Sequence, residues 1–223
     1  MIIMGAPGAG KGTQTRRIVA AYGVPHVSTG EIFRQNIKAG TPLGALVRSH
    51  IEEGHLAPDD VMCKVVNARL REGDCREGFV LDGFPRSRRQ ALYLDQILEE
   101  LGERLDLVIN LAVDEDEIVA RLSARRNCPQ CGAIYNLRSE PPANGLFCDS
   151  PGCDKVTLVQ RKDDHEETIR ERLRVYHQMN EPVLDFYGQL NRLYHVDGVA
   201  KDPLEIYLGI DRLIRSMAPV PGR

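Results

Sequence analysis

The sequence has no stretch near the roughly 20 consecutive apolar residues that a membrane-spanning helix needs, so no such span is expected. It has no excess of positive charge. Its 29 lysines and arginines face 32 aspartates and glutamates, for a formal net charge of −3. No global field would draw such a chain onto nucleic acid or anionic lipid, and neither partner is expected. It has no internal repeat and no low-complexity tract. Met1 to Gly10 contains no basic residue, so these residues are not read as a secretory signal and a cytoplasmic location is expected. Lysine is scarce: 6 residues, against 23 arginines. Arginine grips phosphate with a planar fork of donors; a compositional bias is the competing reading, and position must decide between them.

What is present is the composition of a globular protein, 42% hydrophobic and 27% charged over 223 residues. That length suits one to two domains. It should bury about 70–75% of the unfolded surface.

The hydrophobic pattern alternates between short apolar runs and helical periodicity. Strands are expected at Met1–Gly5, Val24–Ser28, Gly78–Asp82, Asp106–Val113 and Tyr194–Asp197. Helices are expected at Lys11–Tyr22 and Glu31–Ala39, then after Pro42, Pro58, Ser87, Asp114 and Pro203. Ser28-Thr29-Gly30-Glu31 fits a capping box, and Thr41-Pro42 a cap followed by proline at the first helical position. One long helix should run from Asp164 to about Leu190, with Pro182 kinking or breaking it. Residues 218–223 read as a frayed tail. Alternation of this kind gives an α/β fold with a parallel sheet flanked by helices. Two segments look inserted into it, roughly 29–58 and 121–161.

Gly5-Ala6-Pro7-Gly8-Ala9-Gly10-Lys11-Gly12-Thr13 matches GxxxxGK between the first strand and the first helix, the context a phosphate-binding loop requires. Glycines let successive N–H groups converge on a phosphate. The helix N-terminus adds partial positive charge, and Lys11 can reach the terminal phosphates. The hydroxyl comes one place late, at Thr13, so the usual direct Mg²⁺ ligand is displaced. Asp82 ends its apolar strand where a carboxylate would face the loop and bind a metal-held water. A helix cap is the competing role for it.

Four of the six cysteines fall within 26 residues, as Cys128-x-x-Cys131 and Cys148-x₄-Cys153. Two close pairs of this kind read as a tetrahedral thiolate zinc site, closed and therefore structural. Asp149 or Asp154 is an alternative to Cys153 as the fourth ligand. A disulfide and four free thiols are the other possibilities. Cys63 should be a packed helix residue, and Cys75 carries no motif.

Together these residues resemble the adenylate kinase family. The phosphate loop with its shifted threonine, Ser28-Thr29-Gly30-Glu31, Asp82-Gly83-Phe84-Pro85-Arg86 and Arg161-Lys162-Asp163-Asp164 are similar to four of its signatures, in order, over residues 1 to about 215. The insertion and its cysteines resemble the long bacterial form with a zinc-bearing lid. The resemblance implies Mg²⁺-dependent transfer between ATP and AMP giving two ADP. It also implies a five-stranded parallel P-loop core (1–28, 59–120 and 162–223), a monophosphate-binding domain (29–58), a lid (121–161) and a monomer. By the same resemblance, Gly8, Ala9, Gly10, Lys11, Gly12, Thr13, Arg121, Arg125, Ile134, Tyr135 and the Ala200 carbonyl face ATP. Thr29, Arg34, the backbone of His55, Leu56 and Ala57, Gly83 to Arg86 and Gln90 face AMP. Lys11, Arg86, Arg125, Arg161 and Arg172 hold the moving phosphoryl group, with Arg161 and Arg172 also against AMP. The family commonly has Asp where Glu31 stands.

Three rival readings are a UMP or CMP kinase, a zinc-ribbon nucleic-acid binder built on a P-loop domain, and an inactive scaffold. The long insertion argues against the first. The acidic balance, without a stripe of basic and aromatic residues near the cysteines, argues against the second. The complete set of Lys11 and arginines argues against the third.

Overall fold

A computed structural model describes residues 1–53, 55–153, 156–199 and 202–217. Ala200, Asp154 and the 218–223 tail lie outside the described residues. Five strands form one parallel sheet: β1 (Ile2–Gly5), β2 (His26–Ser28), β3 (Val80–Asp82), β4 (Val108–Ala112) and β7 (Leu193–Asp197), in the order β2-β3-β1-β4-β7. The expected five-stranded parallel core is the observed one. Both faces of the sheet are covered, which is why its strands are apolar runs rather than alternating ones. Ile2 and Leu81 point to a core shared with α4 (Asp59–Leu70), α5 (Arg88–Glu100) and α7 (Glu166–Gln189). Ile3 and Ile109 point to the other side, against α1 (Lys11–Tyr22) and α8 (Pro203–Met217).

The capping signals at Ser28, Thr41 and Ser87 act where the sequence places them, and the cap expected from Asp114 does not form. Ser28 Oγ accepts from Glu31 N and opens α2 (Thr29–Ala39); Thr41 Oγ1 accepts from Gly44 N and opens α3 (Pro42–Glu52). Ser87 Oγ accepts from Gln90 N at the start of α5. The Asp114 side chain makes no cap bond at the start of α6 (Glu115–Ser123).

The structure differs from expectation at two places. Pro182 does not end α7, which runs on to Gln189. Pro182 is exposed, so water can serve the carbonyl it leaves unbonded. Buried Ile169, Leu173, Val183 and Tyr187 hold the helix on both sides of it. Residues 127–160, which lack a long periodic run, contribute to a small antiparallel pair, β5 (Arg125–Asn127) with β6 (Ile134–Asn136). Cys128, Cys148 and Leu158 form its small buried cluster.

The strand ends matter most for function. Gly5, Ser28 and Asp82 close β1, β2 and β3, and Ser28 pairs in register with Asp82. Parallel strands deliver all three to one edge of the sheet, where ligands bind in folds of this class.

Candidate functional site: a cationic cleft over the phosphate loop

A cleft of about 1530 Å³ opens at that edge. Its floor is the loop from Gly5 to Thr13, which turns directly into α1. Gly8 has φ +83°, and a Cβ there would stand 2.7 Å from Leu122 Cγ. Only glycine lets the loop lie this close to α6. The Lys11 ammonium folds back on the loop, donating to the Gly5 and Ala6 carbonyls at 2.8 and 2.9 Å. Burial draws its pKa down from 10.5 to about 8, against the pull of Asp82.

Arginines form the walls. Arg34, Arg86, Arg121, Arg125, Arg161 and Arg172 all line the cleft. Arg86 Nε donates to the Gly83 carbonyl at 2.9 Å. Burial, followed by the charge of Arg172, lowers its pKa to about 10. Burial lowers Arg161 to about 10 as well, with Arg34 and Arg125 adding to the effect. Arg34 and Arg172 are shifted down, again mainly by burial. Crowded, desolvated cations of this kind are an anion site waiting for its charge.

Two carboxylates orient the far wall. Asp164, fully buried, takes a bidentate pair from Arg125 at 2.7 and 2.5 Å. Arg172 Nη1 bonds the Asp163 carbonyl at 2.8 Å and lies 3.1 Å from the Asp163 carboxylate. Burial pushes the Asp163 pKa up, but Arg172, Arg34 and their neighbours outweigh it and hold the group below its usual range. The sequence displays both aspartates inside a motif, but only the fold shows which arginine each one holds. On the opposite side Asp82 lies 3.5 Å from His26 Nε2. Burial raises its pKa, and His26, Lys11 and Arg86 more than reverse that, keeping it ionised.

Other predicted residues stand in or behind the walls. Ala9, Gly10, Gly12, Leu56, Gly83, Phe84, Pro85, Ile134 and Tyr135 line the cleft. Thr29 is buried and donates to the Gly83 carbonyl at 3.0 Å. Ala57 is also buried. Gln90 is fully buried, its amide committed to Asp59 Oδ1 at 2.6 Å and to Arg86 N–H at 2.7 Å. The His55 ring is exposed and bonds Glu171 at 3.1 Å. Arg121 is held by Glu117 at 2.7 Å and reaches the Gly198 carbonyl. One contact spans the cleft mouth without any motif to announce it: Lys38 on α2 donates to the Pro129 carbonyl at 2.7 Å.

The four cysteine sulfurs of Cys128, Cys131, Cys148 and Cys153 lie within 4.8 Å of one another. The Cys128–Cys153 and Cys131–Cys148 sulfur pairs are each 3.6 Å apart. Zn–S bonds of about 2.3 Å in a tetrahedron place sulfurs about 3.8 Å apart, so the donor set fits such an ion. Burial raises the Cys128 thiol, but the N–H groups of Cys131 and Gln130 outweigh it and bring it to about 6. Burial and the neighbouring sulfurs push Cys153 up to about 12. Asp149 is engaged elsewhere, by Tyr135 and by Ala143 N, and Cys153 completes the set.

Comparison with known proteins agrees with this geometry. The profile of the adenylate kinase family matches residues 3–192. The chain is 44% identical to an adenylate kinase of Archaeoglobus fulgidus over 97% of its own length and 98% of that protein's. It is 46% identical to one from Bacillus subtilis, over 96% and 97% of the two chains.

Proposed function

We propose, from the premise that this chain belongs to the adenylate kinase family, that its cleft transfers the terminal phosphoryl group of ATP directly to AMP, giving two ADP. The observation that carries this is the convergence of Lys11, Arg34, Arg86, Arg125, Arg161 and Arg172 on one cleft above a phosphate loop.

The acceptor in this reaction is an ionised phosphate, so no side chain has to remove a proton. Catalysis is alignment and neutralisation of charge on the transferring group. Lys11 exchanges its two loop carbonyls for phosphate oxygens. The N–H groups of Gly8 to Thr13 cradle the donor phosphates. Arg125 and Arg172, held by Asp164 and Asp163, meet the transferring group with their forks already aimed. Arg34 and Arg86 take the AMP phosphate, and Arg161 closes from the other side. Ionised Asp82 would hold a water of Mg²⁺, and the ion would neutralise donor phosphate charge. Thr29 and Gln90, expected to touch AMP, are committed to Gly83, Asp59 and Arg86 behind the wall, and either would have to give up those bonds to reach the adenine. Residues 29–58 and 121–161 act as the monophosphate-binding domain and the lid, closing over the substrates to exclude water. The four cysteines would hold zinc, which would staple a lid with little apolar core of its own.

The test is ADP production from ATP–Mg²⁺ with AMP, CMP, UMP or GMP as acceptor. Turnover with AMP far above the rest is expected. A preference for UMP or CMP would overturn the acceptor assignment.

A further inference from the structure

One phenol lies between the cysteine cluster and the cleft. Tyr135 sits on β6, a cleft-lining strand, and its hydroxyl oxygen is 3.3 Å from Cys148 Sγ. The same oxygen is 2.8 Å from Asp149 Oδ1 and accepts the Asp149 N–H at 3.2 Å. The other Asp149 oxygen is occupied by Ala143 N–H at 2.7 Å. Cys148 is fully buried, so water cannot replace the phenol at its sulfur without a local rearrangement.

The donor and acceptor inventory narrows the roles. A tyrosine hydroxyl has one proton to give and lone pairs to accept with. The Asp149 N–H takes a lone pair. The single proton then faces a sulfur and a carboxylate. A metal-bound cysteine is a thiolate, which can only accept. Two anions thus flank one O–H, and among the described residues the hydroxyl is the only side-chain donor within hydrogen-bond distance of both.

We propose that Tyr135 is a positioning residue for the metal centre, its hydroxyl shared between the Cys148 sulfur and Asp149 so that a ligand sulfur is tied to the strand lining the cleft. This rests on the four cysteines holding a metal, as proposed above. Partners of metal ligands orient the donor atom, and losing one typically costs about ten- to a hundredfold in metal affinity. Because β6 lines the cleft, the same bond makes the position of that strand depend on the metal.

The experiment loads the full-length enzyme with Co²⁺ and records its thiolate-to-cobalt charge-transfer band, then times zinc release to a chromogenic chelator. Y135F should shift the band and speed zinc release by about tenfold or more. D149N, which leaves the phenol its sulfur partner, should release zinc within about twofold of the wild-type rate. Replacing Tyr135 with 3-fluorotyrosine keeps the side chain and makes a stronger donor. It should move the band opposite to Y135F, and it tests the bond even if Y135F does not fold. Unchanged band and release in both Tyr135 variants would overturn the proposal alone, leaving the phenol to serve Asp149. A wild-type protein that binds neither cobalt nor zinc would overturn the metal reading and this proposal with it.

Discussion

Lys11 shows how a single residue can be held ready for its ligand. Its ammonium rests on two loop carbonyls, and burial brings its pKa to about 8. The unfolded value is 10.5, so between about pH 8 and 10.5 the unfolded chain holds the extra proton. Over that window this group's contribution to stability rises with pH, and below it the buried charge is a steady cost. A bound polyphosphate favours the charged form, so ATP binding at pH 8.5 should take up protons. Calorimetry in two buffers of different ionisation enthalpy would detect this, and Lys11→Ala should abolish it. The same substitution should lower kcat by at least about 10²- to 10³-fold with the fold intact; full activity would remove the phosphate-loop assignment. Asp164 makes the complementary point. It touches no substrate in the proposed mechanism but holds Arg125 by two bonds. Asp164→Asn should reduce kcat by about 10²-fold, the scale of a misplacement near 1 Å, while KM for AMP changes less. A raised KM with kcat unchanged would mean that Arg125 acts in binding alone. The arginines themselves were legible only through the motifs around them, since an isolated helical arginine is more often a solvated one. Their carboxylate partners were not assigned, because sequence spacing does not reveal which residues a loop and a distant helix bring together.

Among the elements, the phosphate loop and the helix after it were readable to the residue. A glycine-rich run between an apolar strand and a helical period has few alternatives. Gly8 carries the tightest constraint in it. Gly8→Ala combines an unfavourable φ with a Cβ at 2.7 Å from Leu122. It should cost about 1–3 kcal/mol of stability and raise KM for ATP, read by thermal melting and initial rates. A normal melt would show that α6 can yield. Strands β5 and β6 escaped notice for a physical reason. At three residues each they carry no period, and their fourfold cysteine neighbourhood positions them more than any apolar face. The long helix through Pro182 was expected, and of the kink or break considered there the break does not occur. The helix-breaking signal of a proline, about 3 kcal/mol, is opposed by buried Ile169, Leu173, Val183 and Tyr187 on either side of it.

For the whole molecule, the alternation of strands and helices specified the parallel core, and the two interruptions marked segments that border the cleft. Their closeness to one another was not readable. The Lys38–Pro129 bond joins α2 to the Cys128–Cys131 turn across the cleft mouth, and neither residue belongs to a motif that pairs them. If the proposed zinc fills the cysteine cluster, stripping it should therefore disturb more than local stability. Chelation, or Cys128→Ser, should lower the melting temperature and zinc content well before it lowers the rate in the cold. An unchanged melting temperature would rule out a stapling role for the metal.

The crowding of cations in the cleft has one more consequence. Lys11, Arg34, Arg86, Arg161 and Arg172 line one cleft, each disfavoured by burial, with Asp82, Asp163 and Asp164 as nearby counter-charges. Electrically, the folded chain is half of a salt. Its phosphorylated substrates supply the other half, so the same charges that make the empty enzyme strain against itself make the occupied one cohere. Substrate is in this sense a building material of the working structure, and the protein is fully assembled only while it is at work.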